Sequence, residues 1–149
     1  MGSEADHSYE RLFTVKNPTL NDLKALMFLE AAGEVYYDGL AALAPNDAVK
    51  RLLTRNGQEE MAHAHRLKRV IKMIHGEDCA IPSHGKNPFC NSLMKPAAVD
   101  AQFLTSFAET ERTGETFYKA WADNIGNAEA AKLLLQNGKE ETRHGERLT

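Results

Sequence analysis

The sequence predicts an all-α protein, a four-helix bundle made of two duplicated antiparallel helix hairpins joined by a long crossover loop. Three observations predict it. The segment NGQEEMAHAHRL at residues 56–67 returns as NGKEETRHGERL at residues 137–148. A gapless shift of 81 residues aligns residues 23–67 with 104–148 and gives 16 identities in 45 positions, where chance would give only a few. Each copy also carries apolar residues at helical spacing on both sides of one short break, and the copies are separated by a proline- and glycine-containing stretch, residues 76–98. A repeat of this length fixes the architecture: one supersecondary unit is used twice.

Composition bounds the rest. At 149 residues the chain is long enough to bury one core and too short for two. Hydrophobic residues make up 42% and charged residues 26%, as in ordinary globular domains. The formal charge is −3, with acids and bases interleaved, so no basic face is offered to nucleic acid. No apolar run approaches the roughly 20 residues that span a bilayer. The first twenty residues lack the basic start and apolar centre of a secretory signal, so a cytoplasmic location is expected. Cys79 and Cys90 stand eleven apart, a spacing that suits neither a CxxC pair nor half of a four-cysteine metal site. They read as free thiols or as a local disulfide.

Residues 1–18 read as a flexible leader and 19–149 as the bundle, with hairpins at 19–75 and 99–149 and the crossover at 76–98. In residues 20–44, Leu23, Leu26, Met27, Glu30, Tyr37 and Ala41 recur at spacings of three, four and seven without an internal proline, which predicts the first helix. Pro45 and Asn46 break and restart the chain, Asn46 as an N-cap. Leu52, Leu53, Glu60, Leu67, Val70, Ile71 and Ile74 continue the inward stripe to about His75 as the second helix. The third helix spans Val99 to Asn124, Gly126 and Asn127 make the turn, and the fourth runs from about Ala128 to the end. Turns of two or three residues make each pair antiparallel.

The chemistry sits at the repeated positions. Glu60 and His63, three apart, send a carboxylate and an imidazole from one helix face to a common point, and Glu141 and His144 repeat the pair. Glu30 and Glu111 add one carboxylate each from the first and third helices, for a total of four Glu and two His. That inventory matches the carboxylate-bridged di-iron or di-manganese centres of helical bundles, in which two bridging and two terminal carboxylates neutralise two divalent ions. Left without metal, four buried carboxylates would each cost on the order of several kcal/mol.

Other repeated residues surround this set. Tyr37 and Tyr118 read as hydrogen-bond partners of ligand carboxylates, or as ordinary buried tyrosines with satisfied hydroxyls. Glu34 and Glu115 read either as reserve ligands or proton carriers, or as solvated helix edges. Asn56 and Asn137 are candidate supporting amides. Gly57, Gly138, Ala64 and Gly145 suggest space near the metals or close helix contact. Glu59, Glu140, Arg66 and Arg147 read as surface ion pairs. His65, whose repeat counterpart is Glu146, points away from the stripe. Cys79, Cys90, His75 and His84 could form a second metal site only if the crossover gathers them.

Written as Glu30, Glu34, Tyr37 with Glu59, Glu60, His63, and again as Glu111, Glu115, Tyr118 with Glu140, Glu141, His144, the ExxxExxY and EExxH pairs resemble the ferritin-like di-iron carboxylate superfamily, most closely its rubrerythrin-like branch. The likeness covers about residues 20–148. It implies two iron ions, or manganese, held by Glu30, Glu60, His63, Glu111, Glu141 and His144, and an oxidoreductase that reduces peroxide or reacts with oxygen. The other function the resemblance allows is a ferritin-like iron-oxidising and iron-storage protein. It also implies a homo-oligomer, a dimer or larger. The chain departs from full-length rubrerythrins in two respects. It has no rubredoxin module with two CxxC pairs, so an external electron donor is expected; and the additional third-helix carboxylate is replaced by Gly114, with Glu115 the nearest substitute.

Overall fold

The computed structural model describes Leu12, residues 14–91 and residues 96–149. Among them run four long helices and no strand: α1 (Leu20–Ala42), α2 (Asp47–His75), α3 (Ala101–Asn124) and α4 (Ala128–Arg147). This is the all-α four-helix bundle expected from the repeat. No helix among the described residues is long and apolar enough to cross a membrane.

Each helix begins on a side-chain cap that satisfies a free backbone N–H. Thr19 and Asp22 form a reciprocal capping box on α1: the Asp22 N–H donates to Thr19 Oγ1 at 3.2 Å, and the Thr19 N–H to Asp22 Oδ2 at 2.8 Å. Asn46 Oδ1 accepts from the Val49 N–H at 2.9 Å, and Asn127 Oδ1 from the Ala130 N–H at 3.0 Å. The third helix starts at Ala101, two residues later than Val99, because Asp100 Oδ1 takes the Phe103 N–H at 2.8 Å and leaves Val99 to be buried ahead of the cap.

The first helix stops at Ala42, two residues short of the expected end. The N–H groups of Leu43 and Ala44 turn back to the carbonyls of Leu40 and Ala41 at 3.0 and 3.1 Å, and Pro45 disfavours helical backbone at the residue before it. Gly76 closes α2 in the left-handed conformation, φ 69°, where its N–H reaches the Lys72 carbonyl at 2.9 Å.

Two apolar clusters occupy opposite ends of the bundle. Leu23, Leu26 and Met27 of α1 meet Leu67, Val70 and Ile71 of α2, Trp121 of α3 and Leu134 of α4 at one end. Tyr37 and Leu40 of α1, Leu53 of α2, Ala108 of α3 and Leu148 gather at the other. Between them lie the four glutamates that fall midway along the helices.

The crossover contains two 3-10 turns, His84–Lys86 and Pro88–Asn91, and it is anchored on α1. Asn87 Nδ2 donates to the Phe28 carbonyl at 2.7 Å, and Phe89 is buried against Ala32. The expected flexible leader falls largely outside the described residues, which exclude residues 1–11 and 13. Its end is packed: Leu12 is buried in the core, and the Val15 carbonyl accepts from Trp121 Nε1 at 2.9 Å.

Candidate metal centre

Glu30, Glu60, His63, Glu111, Glu141 and His144 converge in the middle of the bundle, all buried. They form two overlapping groups whose ligand atoms lie within 4.8 Å of one another, Glu30–Glu60–His63–Glu141 and Glu60–Glu111–Glu141–His144. Glu60 and Glu141 belong to both, as bridging carboxylates would; Glu30 with His63 and Glu111 with His144 complete one group each. The imidazoles lie nearly parallel, 5.4 Å between centroids and 16° between planes.

The histidines present Nδ1 to the carboxylates. His63 Nδ1 is 2.8 Å from Glu30 Oε2, 2.8 Å from Glu141 Oε1 and 3.3 Å from Glu60 Oε1, and His144 Nδ1 is 3.2 Å from Glu60 Oε1. Close as these atoms lie, three buried side-chain polar atoms of the described residues make no hydrogen bond of good geometry: Glu60 Oε1, Glu141 Oε1 and His144 Nδ1. Buried polar atoms without a well-directed partner are costly, and all three fall inside this cluster. A pair of divalent cations would satisfy each of them and balance four carboxylates, so the donor set fits a dinuclear centre.

Titration follows from this crowding. Burial, and then the charge of Glu60, raises Glu30 to about 7. Burial and the charges of Glu60, Glu111 and Glu30 push Glu141 well above the carboxylate range, and burial with Glu60 pushes Glu111 up. Burial also works upward on Glu60, but the imidazoles of His144 and His63 outweigh it and hold that carboxyl low. Burial disfavours the imidazolium form of both histidines, yet the surrounding carboxylates prevail. His63 is raised far above its usual value by Glu140, Glu141, Glu30 and Glu60, and His144 to about 10 by Glu111 and Glu60. Without metal, the protein therefore holds protons where cations would sit.

A second layer repeats with the same symmetry. Tyr37 Oη donates a short hydrogen bond to Glu111 Oε1, and Asn56 Nδ2 donates to Tyr37 Oη at 3.4 Å. In the other half, Asn137 Nδ2 donates to Tyr118 Oη at 3.3 Å and to the His63 carbonyl at 3.2 Å. Of the two tyrosines, then, Tyr37 is the one hydrogen-bonded to a cluster carboxylate.

Glu59, Glu140, Arg66 and Arg147 correct the reading of surface ion pairs. Glu140 Oε1 lies 3.0 Å from His63 Nε2 and accepts from Arg66 Nη1 at 2.8 Å; Arg66 Nη1 also reaches Asn137 Oδ1 at 3.0 Å. Glu59 Oε1 lies 3.1 Å from His144 Nε2 and accepts from Arg147 Nη1 at 2.8 Å, and Arg147 Nη1 reaches Asn56 Oδ1 at 2.9 Å. Each EExxHxxR segment sends its first glutamate across to the other segment's histidine and its second into the shared cluster. A carboxylate on Nε2 keeps that nitrogen as the donor and leaves Nδ1 for the centre. His63 and Arg66 together outweigh burial and hold Glu140 at about 2, and Arg147 and His144 likewise lower the half-buried Glu59.

The glycines divide into two kinds. A Cβ on Gly33 would meet Glu60 Oε2 at 2.8 Å, and one on Gly114 would meet Glu141 Cγ at 2.8 Å and Cβ at 2.9 Å. These two make room for the shared carboxylates. Gly57 and Gly138 serve close helix contact instead, against Cβ of Tyr37 and Tyr118 at 2.9 and 3.1 Å, and Gly145 packs on Arg112 and the Ala108 carbonyl.

Glu34 and Glu115 stay outside the cluster, half-buried, and Glu115 Oε1 accepts from Thr142 Oγ1 at 2.5 Å. His65 is exposed. Cys79 and Cys90 are free thiols, and with His75 and His84 they form no metal-binding group among the described residues.

Neither the curated proteins nor the solved structures yield a match to the chain. The rubrerythrin family model matches residues 23–149, which take in all four helices except the first turn of α1 and every residue of the cluster. The chain belongs to the rubrerythrin family.

Proposed function

We propose that the protein is a di-iron carboxylate oxidoreductase that reduces peroxide, drawing its electrons from an external one-electron donor. One observation carries the reading: two four-residue ligand groups share Glu60 and Glu141, and the three buried atoms that lack a well-directed hydrogen bond all belong to residues of these groups. Glu30, Glu60, His63, Glu111, Glu141 and His144 would hold the ions, and a redox-active pair there would supply the two electrons that peroxide reduction needs.

The chain's own residues prepare that space. Glu59 and Glu140 hold the imidazoles by Nε2, and Arg147 and Arg66 hold those glutamates, so neither histidine can rotate away from the centre. Tyr37 keeps its proton, because burial and the charges of Glu111 and Glu60 push its ionisation well above the usual range. It therefore remains a hydrogen-bond donor to Glu111 and fixes that carboxylate while its neighbours change charge.

Stopped-flow mixing of ferrous-loaded protein with hydrogen peroxide tests the proposal. The expected result is consumption of about one peroxide per pair of ferrous ions, with an oxidised-iron absorption that an added one-electron donor bleaches. Tyr37→Phe should slow the reaction about tenfold or more while leaving metal content unchanged. Iron that oxidises and accumulates beyond two ions per chain, with no turnover on adding donor, would instead favour the storage reading.

A further inference from the structure

A cavity of about 400 Å³ lies between α1 and α3 and opens onto the carboxylate cluster. Glu30, Glu60, Glu111 and Glu141 contribute to its lining. Its upper walls consist largely of residues matched by the 81-residue repeat: Leu26 with Phe107, Leu29 with Thr110, and Tyr36 with Phe117. Phe107 packs on the rings of Tyr36 and Tyr37 at 5.7 and 5.3 Å, and Phe117 on Trp121 at 4.7 Å. Gly33 and Gly114 also line it, each packed so closely on Glu60 or Glu141 that the two carboxylate side chains lie against the helix backbones beside the cavity.

Size and chemistry limit what such a space is for. Hydrogen peroxide is only a little larger than the ~30 Å³ of a water molecule, a small part of this volume. Pockets of about 300–1,000 Å³ with apolar walls and a few convergent polar groups are the usual form of small-molecule sites. Here the polar groups are the cluster glutamates, where Glu60 Oε1 and Glu141 Oε1 are buried without a well-directed hydrogen bond, and the rest of the lining is largely apolar and aromatic. An occupant that complements both parts carries an oxygen head on an apolar body.

We infer that the preferred substrate is an organic hydroperoxide with a compact apolar group, bound with its hydroperoxide end at the carboxylate floor and its apolar body between α1 and α3. This rests on the peroxide-reducing reading above. The reaction is the same two-electron reduction: the O–O bond of ROOH breaks, and two electrons from the external one-electron donor with two protons from water give ROH and H2O. Specificity comes from the walls, since burying one aromatic or branched alkyl group against them is worth about ten- to hundredfold in kcat/KM.

The test compares cumene hydroperoxide with hydrogen peroxide on the iron-loaded full chain, together with calorimetric binding of cumyl alcohol to the oxidised protein. Cumene hydroperoxide should have the higher kcat/KM, by about tenfold or more, and cumyl alcohol should bind. Thr110→Phe, at an exposed position on the α3 wall, should lower the ratio of the two kcat/KM values at least about tenfold and weaken cumyl alcohol binding in parallel; Leu29→Trp should do the same from α1. A ratio that favours hydrogen peroxide and does not move in either variant, with no binding of the alcohol, overturns the inference and leaves peroxide reduction standing. Reduction of neither peroxide while the alcohol still binds overturns the peroxidase reading and with it the hydroperoxide substrate, and shows the cavity to be an apolar ligand site of another kind.

Discussion

Replacing Gly114 by Ala probes the room made for a shared carboxylate. The new Cβ would stand 2.8 Å from Glu141 Cγ and 2.9 Å from its Cβ. Carbon pairs rest at about 3.5–4.0 Å, so the overlap is about 0.6–1.2 Å, and it falls near the base of the side chain where rotation cannot relieve it. Overpacking of this kind costs about 1–3 kcal/mol, against about 1 kcal/mol gained by replacing a mid-helix glycine with alanine. Apo stability should therefore fall by up to about 2 kcal/mol, a drop of several degrees in melting temperature for a chain of this size. Any part of that strain which the apo protein escapes by moving Glu141 must be met when metal draws the carboxylate back, so what does not appear as lost apo stability should appear as lost metal affinity, up to about a hundredfold. Gly33→Ala should do less, because its nearest contact is the carboxylate tip, Glu60 Oε2 at 2.8 Å, with Cβ and Cγ at 3.2 Å. Gly85→Ala, with no atom within 4 Å, is the control. Thermal melts with and without chelator, paired with metal titrations, read all three. A Gly114→Ala protein that melts at or above wild type and binds metal equally well would refute the geometry.

Apo protein should lose stability as pH rises. The raised Glu30 contributes fully below its ordinary 4.5 and loses that contribution through about 7, worth on the order of 3 kcal/mol, and the raised His144 loses its own between 6.5 and about 10. The lowered Glu140 acts oppositely, its contribution being lost only as pH falls from 4.5 toward about 2. Melts of chelated protein from pH 5 to pH 9 should decline while metal-loaded protein stays flat, and Glu141→Gln should raise the apo melting temperature at the alkaline end; a flat apo profile would contradict this. Loading metal at pH 7 should release more than about one proton per chain, one from His144 and part of one from Glu30, with the raised His63 and Glu141 adding to it, measurable by pH-stat; release of fewer than about one would mean the site is not proton-filled. Glu140→Gln and Glu59→Gln should each weaken metal binding about 10–100-fold in competition with a chelator dye, and equal affinity in both would return these residues to the surface role.

The repeat carried much of this architecture into plain view in the sequence. Glu60 and His63 share a helix face by spacing alone, and their reappearance at Glu141 and His144 marks them as more than core residues. Glu30 and Glu111 stand out because a charged residue interrupts an apolar stripe at the same place twice. Contacts between α2 and α4 were less legible, since periodicity within one helix does not say which neighbour a side chain reaches. Glu59 and Arg66 look like exposed charges on α2 and become half-buried partners only when α4 supplies His144 and Glu140. A signal was present: EExxHxxR repeats as strictly as the ligands do, more than solvated ion pairs require. The ends of α1 and α3 shifted for local reasons, the restriction imposed by Pro45 and the cap of Asp100, and the Thr19-x-x-Asp22 box was there to be read.

Metal occupancy of the cluster is the property that decides most directly whether these six residues form a dinuclear centre. Anomalous scattering at the iron and manganese edges, from crystals of protein purified without added metal, would measure it. Two peaks per chain are predicted, one among Glu30, Glu60, His63 and Glu141 and the other among Glu60, Glu111, Glu141 and His144, both rising at the iron edge. A single peak, an empty cluster in protein that still carries its full complement of metal, or metal bound away from these six residues would contradict it.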